Sequence, residues 1–182
     1  MPNKRGSKIK TGMPLIVSVL GWSNSGKTTF IEAAIAECAK RGISTSALKK
    51  SHNAASLPPD TKDSSRFFRA GAETSVYLNS SEMLILKKAP LQVDEQSIAA
   101  LCPGASMIFC EGLEPGGALR VLAAGDATEE VSLKRTLADI DILIARNVAM
   151  LNVANSRNVK FFKPDEIAQF IDYLVAMETS NE

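Results

Sequence analysis

Gly21–Trp22–Ser23–Asn24–Ser25–Gly26–Lys27–Thr28 matches the spacing G-x-x-x-x-G-K-[S/T] in full. Each residue type has a chemical reason at its place. Gly21 and Gly26 permit backbone torsions and close approaches that a Cβ would block. The amides of the loop, from Gly21 through Ser23, Asn24, Ser25 and Gly26 to Lys27, Thr28 and Thr29, are then expected to surround an anion at the positive end of a helix. Lys27 can reach β- and γ-phosphate oxygens. The Thr28 hydroxyl is an oxygen ligand for Mg²⁺, an ion that keeps most of its coordination as water and phosphate. The loop alone leaves open which nucleotide binds and whether it is hydrolysed.

Carboxylates would complete such a site. Glu111 follows the apolar run Ser106–Cys110, where a parallel strand delivers residues to the carboxyl edge of a sheet, beside ligands. An acid there can hold Mg²⁺ through water or orient an attacking water. Asp63 opens a helix and serves either the metal or, as a plain first-turn acid, the helix itself. Asp60, after Pro58–Pro59, reads as a solvated loop acid. Lys49, Lys50 and His52 close a second strand on the same edge, with Lys49 the best placed to face phosphate. His52, the only histidine, reads as ordinary surface. Trp22 either stacks on a ligand or packs. Lys87–Lys88 reads as a solvated strand end.

The elements that must position these residues follow from hydrophobic patterning. Leu15–Leu20 (LIVSVL) is a short apolar run rich in β-branched residues, the mark of a strand buried on both faces. The pattern predicts a helix at Thr28–Arg41, with Phe30, Ile31, Ala34, Ile35 and Cys38 on one face, and a strand at Ile43–Leu48. A helix is expected at Lys62–Ala70, stopped by Gly71. Strands are expected at Thr74–Leu78 and Met83–Leu86, joined by a turn at Asn79–Glu82. A helix over Asp94–Leu101 precedes strands at Ser106–Cys110, Leu119–Ala123, Ile140–Ala145 and Val159–Phe162. Pro164–Met177 closes the chain as a helix with proline in its first turn. Glu114–Arg135, rich in glycine and charge, fits this rhythm least. Alternating strands and helices predict an α/β fold: a mainly parallel sheet, helices on both faces and a small hairpin excursion.

Composition narrows the possibilities. The chain has 182 residues, 45% of them apolar, and a formal charge of +1. This predicts a single domain over residues 14–182 behind a basic tail at 1–13. Lys4, Arg5, Lys8 and Lys10 fall in that tail, so the rest of the chain is net negative and offers no bulk basicity for nucleic acid. Cys38, Cys102 and Cys110 have no C-x-x-C spacing and read as reduced thiols. No apolar run approaches the roughly 18–20 residues that a bilayer crossing requires. The expectation is a cytoplasmic protein without membrane contact.

The order of these pieces resembles the molybdopterin-guanine dinucleotide biosynthesis protein B (MobB) family. GWSNSGKTTFIEA is similar to the family's phosphate loop. LKKSHN resembles I-K-H-x-H-H, with Lys49 and His52 on matching positions. TKDSSRFFRAGA resembles a G-K-D-S segment followed by A-G-A, placing Lys62, Asp63, Ser64 and Ala70–Gly71–Ala72 on the match. IFCEGL is similar to V-E-G-F and puts the acid on Glu111. Lys50 and Asn53 stand where the family usually carries histidine, Thr61 where it carries glycine and Glu114 where it carries lysine. Ile142–Asn147 resembles a late strand whose acid is here Asn147, at the edge that leads to the guanine site in related folds.

The resemblance implies a three-layer P-loop NTPase fold and a Mg²⁺-dependent GTP-binding protein with weak GTPase activity. It further implies a homodimer that assists the guanylyltransferase of molybdenum cofactor synthesis and meets its pterin. On this reading Lys27, Asp63 and Glu111 act on the phosphates, Thr28, Asp63 and Glu111 serve the metal, and Lys49 and Asn147 contact the nucleotide. ATP stays open as the nucleotide. No arginine is plainly placed as a finger, although Arg66 and Arg69 are candidates, and that predicts a poor stand-alone enzyme. Two other functions fit the same loop. One is a small-molecule kinase whose lid would carry Arg120 and Arg135; the other is a nucleotide-binding module without turnover.

Overall fold

The computed structural model describes residues 12–51, 63–88, 93–128 and 137–179. The basic tail, His52, Asn53, Pro58, Asp60, Thr61, Lys62 and Arg135 lie outside the described residues. In chain order the elements begin with β1 (Leu15–Leu20), α1 (Lys27–Lys40), β2 (Thr45–Lys49) and α2 (Asp63–Arg69). They continue with β3 (Thr74–Leu78), β4 (Met83–Lys87), α3 (Glu95–Leu101), β5 (Met107–Glu111) and β6 (Leu119–Ala123). The last are β7 (Ile142–Ile144), α4 (Ala149–Ser156), β8 (Lys160–Phe162) and α5 (Ile167–Thr179), with a 3₁₀ turn at Leu137–Asp139 before β7. These elements form two compact units, one reaching Lys50 and resuming at Asp94, the other covering Ser51–Val93.

The first unit is built on a six-stranded sheet in the order β2-β5-β1-β6-β7-β8. Every pair in it is parallel. All residues of β1 are buried, as its unbroken apolar run requires of a central parallel strand. One face of the sheet presents Leu15, Val17, Val19, Phe109 and Val121 to Phe30, Ile31 and Ala34 of α1 and Phe170, Ile171 and Leu174 of α5. The ring of Phe170 meets those of Phe30 and Phe162 edge-on, at centroid distances of 5.0 and 5.7 Å. The opposite face buries Leu20, Leu122 and Leu143 against Met150 and Ala154 of α4. This is the expected α/β architecture with helices on both faces.

Strand ends differ from the expected ones by a residue or two, β2 running Thr45–Lys49 and β7 Ile142–Ile144, and the helices near the C-terminus differ more. The closing helix begins at Ile167, not Pro164. Residues 163–166 instead form a turn in which the Glu166 carboxylate accepts the Lys163 N–H at 2.8 Å and the Glu166 N–H donates to the Lys163 carbonyl at 3.1 Å. Helix α4 was not anticipated. Its sequence, AMLNVANS, carries no charge pattern and starts without a side-chain cap on Val148; Asn147 supplies the acceptor for Ala149 N–H at 2.9 Å.

The second unit contains α2 and the antiparallel ribbon β3–β4, paired from Thr74 with Lys87 to Leu78 with Met83. Asn79 shapes the turn: its Oδ1 accepts the N–H groups of Ser81 and Glu82 at 2.8 and 2.7 Å. Ser75 Oγ donates to the Ser64 carbonyl at 2.7 Å and ties the ribbon to α2. Gly71, at φ +111, stops that helix. Val76, Tyr77, Leu78, Met83, Leu84 and Ile85 are all exposed, so both faces of the ribbon carry uncovered apolar side chains.

Candidate functional site

The site is assembled where β1, β2 and β5 end, because parallel strands deliver their last residues to one edge of the sheet. After Leu20 the chain turns through Gly21 (φ +147), Asn24 (φ +60) and Gly26 (φ +87) before α1 begins at Lys27. Gly21 is required by a close approach: a Cβ there would stand 2.4 Å from the Ala123 carbonyl oxygen. Gly26 is the N-cap of α1. No side chain caps that helix and no acid lies in its first turn.

Above the loop is a cleft of about 450 Å³ lined by Ser23, Asn24, Gly26, Lys27, Thr28, Thr29, Lys49 and Glu111. Lys27 arches back over the loop and its Nζ donates to the Trp22 carbonyl at 2.6 Å. Thr28 Oγ1 donates to Glu111 Oε2 at 2.8 Å, and Lys49 Nζ lies 3.2 Å from Glu111 Oε1. Lys49 and Glu111 are register partners on adjacent strands, which fixes their side chains next to each other. The Glu111 side chain is only 14% exposed, whereas that of Lys49 is 61% exposed.

The oxygens of Thr28 and Glu111 suit a hard cation. At the ~2.0–2.1 Å Mg–O distance, adjacent corners of an octahedron are about 3 Å apart, close to the 2.8 Å found here. Among the described residues no group of three His, Cys, Asp or Glu side chains could hold a metal alone.

Two residues not singled out for the site shape it from below. Ser18, fully buried in the middle of β1, donates from Oγ to the Leu113 carbonyl at 2.5 Å. Gly112, at φ +70, makes the turn between Glu111 and Leu113, and a Cβ there would stand 3.1 Å from the Lys50 carbonyl oxygen. The Lys50 N–H donates to the Glu111 carbonyl at 2.9 Å. Together these bonds hold the backbone that carries Glu111. The signal for Ser18 was its position as the sole polar residue in LIVSVL; Gly112 was visible only as half of the Glu-Gly pair.

A family model described as "Molybdopterin guanine dinucleotide synthesis protein B" matches residues 16–144, from β1 through β7. The chain belongs to that family. The molybdopterin-guanine dinucleotide biosynthesis adapter protein of Haemophilus influenzae is 32% identical to it over 84 residues, 46% of this chain and 47% of that one. The match thus spans about half the length of the curated relative. The crystal structure of Bacillus subtilis MobB is similar in fold, with a TM-score of 0.66 at 20% identity over 90% of this chain and 97% of that one. A MobB homolog from Bacillus stearothermophilus gives 0.58 at 17% identity, covering 90% and 98% of the two chains.

Of the family-matched positions, the structure brings Ser23, Asn24, Gly26, Lys27, Thr28, Thr29, Lys49 and Glu111 to one cleft. Gly21 and Ser25 underlie the loop: Ser25 Oγ is buried, and it lies 2.5 Å from where a Gly21 Cβ would stand. Asn147 follows β7 and caps α4 through its side chain. Asp63 opens α2 in the second unit, exposed and 3.4 Å from Arg66 Nη1. Arg120 is the second residue of β6, its Nε 3.5 Å from Glu114 Oε1 and its Nη1 donating to the Asp139 carbonyl at 3.3 Å. Trp22 is 55% exposed.

Proposed function

We propose that this chain is a Mg²⁺-dependent GTP-binding adaptor of the cytoplasm that assists the guanylyltransferase step forming molybdopterin guanine dinucleotide. One observation carries the nucleotide half of this reading. A glycine-built loop and an uncapped helix N-terminus face Lys27, Thr28 and Glu111 across a single cleft. In that cleft the loop and α1 would take the phosphates, Lys27 would neutralise the β- and γ-oxygens, and Thr28 and Glu111 would hold Mg²⁺ directly or through water. The ion, when bound, screens charge on the phosphates. Phosphoryl transfer of this kind depends on placement and charge neutralisation. Arg120 is tied to Glu114 and the Asp139 carbonyl rather than to the cleft, in keeping with slow turnover by the chain alone. The adaptor half rests on family membership and on the name of the Haemophilus influenzae relative. A homodimer would give the apolar ribbon β3–β4 a cover, since two strands alone are marginal in water.

The test is a calorimetric titration of GTP and ATP with Mg²⁺ against the intact chain and Lys27→Ala. Loss of a charge-assisted contact of ~1.5–3 kcal/mol predicts a 10- to 100-fold weaker GTP affinity in the variant. Equal affinities for GTP and ATP would refute the guanine preference. An unchanged affinity in Lys27→Ala would refute the site.

A further inference from the structure

Glu111 is bound by two partners on different oxygens, and the two partners differ in freedom. Thr28 sits in the first turn of α1 and holds Oε2; Lys49 ends β2 and holds Oε1 with a long side chain that is mostly in solvent. The carboxylate itself is sheltered, and its backbone is pinned by the Lys50 N–H. If the arrangement changes on ligand binding, Lys49 is the part free to move. Its four-carbon stem swings the ammonium over several ångströms from a fixed Cα.

Charge sets the direction of that movement. Lys27 and Lys49 oppose Glu111 in the cleft and leave it with a net positive charge. A bare divalent cation would add to this excess, and the ammonium on Oε1 would repel it at short range. A cation carried by a triphosphate brings its own compensating negative charge, and it also offers the ammonium another anionic partner. Lys49 lines the cleft alongside Thr28 and Lys27, so the terminal phosphate would come to lie within its sweep.

We propose that Lys49 is an exchangeable counter-ion of Glu111: it closes the carboxylate edge against a lone divalent cation and transfers to the terminal phosphate when cation and triphosphate enter together. Lys49 thereby makes the cleft selective for a nucleoside triphosphate over a diphosphate. This rests on the nucleotide-binding reading above and assigns it a device that the loop motif does not contain. Lys49 donates to a carboxylate oxygen in one state and to a phosphate oxygen in the other, so no proton is transferred.

The experiment uses the intact chain, its single tryptophan, Trp22, as fluorescent reporter, and calorimetry as a check. Dissociation constants for GTP and GDP with Mg²⁺ are measured for the wild type, Lys49→Met and Lys49→Arg. Mn²⁺ binding without nucleotide is measured on the same proteins by electron paramagnetic resonance. Lys49→Met is expected to weaken GTP about 10- to 100-fold while GDP changes by less than about threefold. It is also expected to bind Mn²⁺ alone several-fold tighter, because the competing ammonium is gone. Lys49→Arg, which keeps the charge, should retain weak binding of Mn²⁺ alone. Equal losses for GTP and GDP, or Mn²⁺ binding unchanged by Lys49→Met, would overturn the proposal and leave nucleotide binding standing. A wild-type chain that binds neither nucleotide would overturn the underlying reading and the exchange with it.

Discussion

Gly21→Ala separates the mechanical part of the Gly21–Thr28 loop from the phosphate-binding role proposed for it. The new methyl would meet the Ala123 carbonyl oxygen at 2.4 Å and Ser25 Oγ at 2.5 Å. Ser25 can rotate away. Ala123 cannot, because it ends β6 in register beside β1 and the next residue, Ala124, donates its N–H to the Ile144 carbonyl at 2.8 Å. The φ of +147 adds a conformational cost of about 1–2 kcal/mol for a side chain of L configuration. Overlap with a fixed carbonyl adds about 1–3 kcal/mol. At roughly 2–4 °C per kcal/mol for a chain of this size, the variant should melt about 4–20 °C lower. Gly26→Ala is the control. It has φ +87 but nothing within 4 Å of its Cβ position, so it carries the conformational cost alone, about 1–2 kcal/mol. The space beside Gly26 is the cleft itself, and its methyl should weaken nucleotide binding more than it lowers the melting temperature. Thermal melts followed by circular dichroism, with titrations below the transition, read both quantities. Equal melting losses in the two variants would refute the argument that Gly21 is fixed by β6.

Thiol reactivity and acid stability provide two further checks. Burial raises the Cys38 thiol pKa and pushes that of Cys110 up to about 12, while Cys102 is half-buried. At pH 8 only about one Cys110 in 10⁴ is then thiolate, so iodoacetamide should label the native chain once at most and the denatured chain at all three cysteines, counted by mass spectrometry. Asp94 accepts the Ser97 N–H at 2.8 Å, and its bonds to Ser97 hold its carboxyl below the usual range. A depressed folded-state pKa means that this cap is at full strength above the ordinary aspartate range and is lost as pH falls through the lower value. Protection of the Ser97 amide against hydrogen exchange should fall across that acid window in the wild type and be flat there in Asp94→Asn.

The glycine-built turn between β1 and α1 and the central strands were legible because their signals are local. LIVSVL and SMIFC have the composition of buried parallel strands, and in the fold β1 and β5 become neighbours in register, with β5 running one residue further than expected so that Glu111 lies beside Val19. The last residue of β2 was less clear: the expected strand ended at Leu48, while the observed one runs on to Lys49 and so sets the lysine beside Glu111. Helix α4 was hidden because its buried residues, Met150 and Ala154, are too few to produce a periodic signal in eight residues. The start of α5 was misplaced by a rule that holds on average: proline favours the first turn, but here Pro164 belongs to a turn closed by Glu166. Asp63 shows a different limit: it opens α2 and lies 3.4 Å from Arg66 Nη1, and a first-turn acid of that kind has the same local sequence whether it serves its helix or a metal.

Glu114 shows how a charge close in sequence to the site can be directed away from it. Three residues after Glu111, it stands where the resemblance implies a lysine, and on spacing alone it would set a second negative charge beside the cleft. The backbone decides otherwise. Gly112, at φ +70, turns the chain as it leaves β5, and Ser18 then holds the Leu113 carbonyl from the middle of β1. Because Ser18 is the register partner of Arg120, a chain anchored at Ser18 brings the following residue over Arg120 rather than over the loop. Glu114 and Arg120 pair there at 3.5 Å, each side chain less than a third exposed. A lysine at position 114 would face that arginine as a like charge, so the pair accounts for the acid at 114 as a structural match to Arg120. The charge reversal is thus absorbed within the sheet face, and the cleft keeps Glu111 as its only lining carboxylate among the described residues.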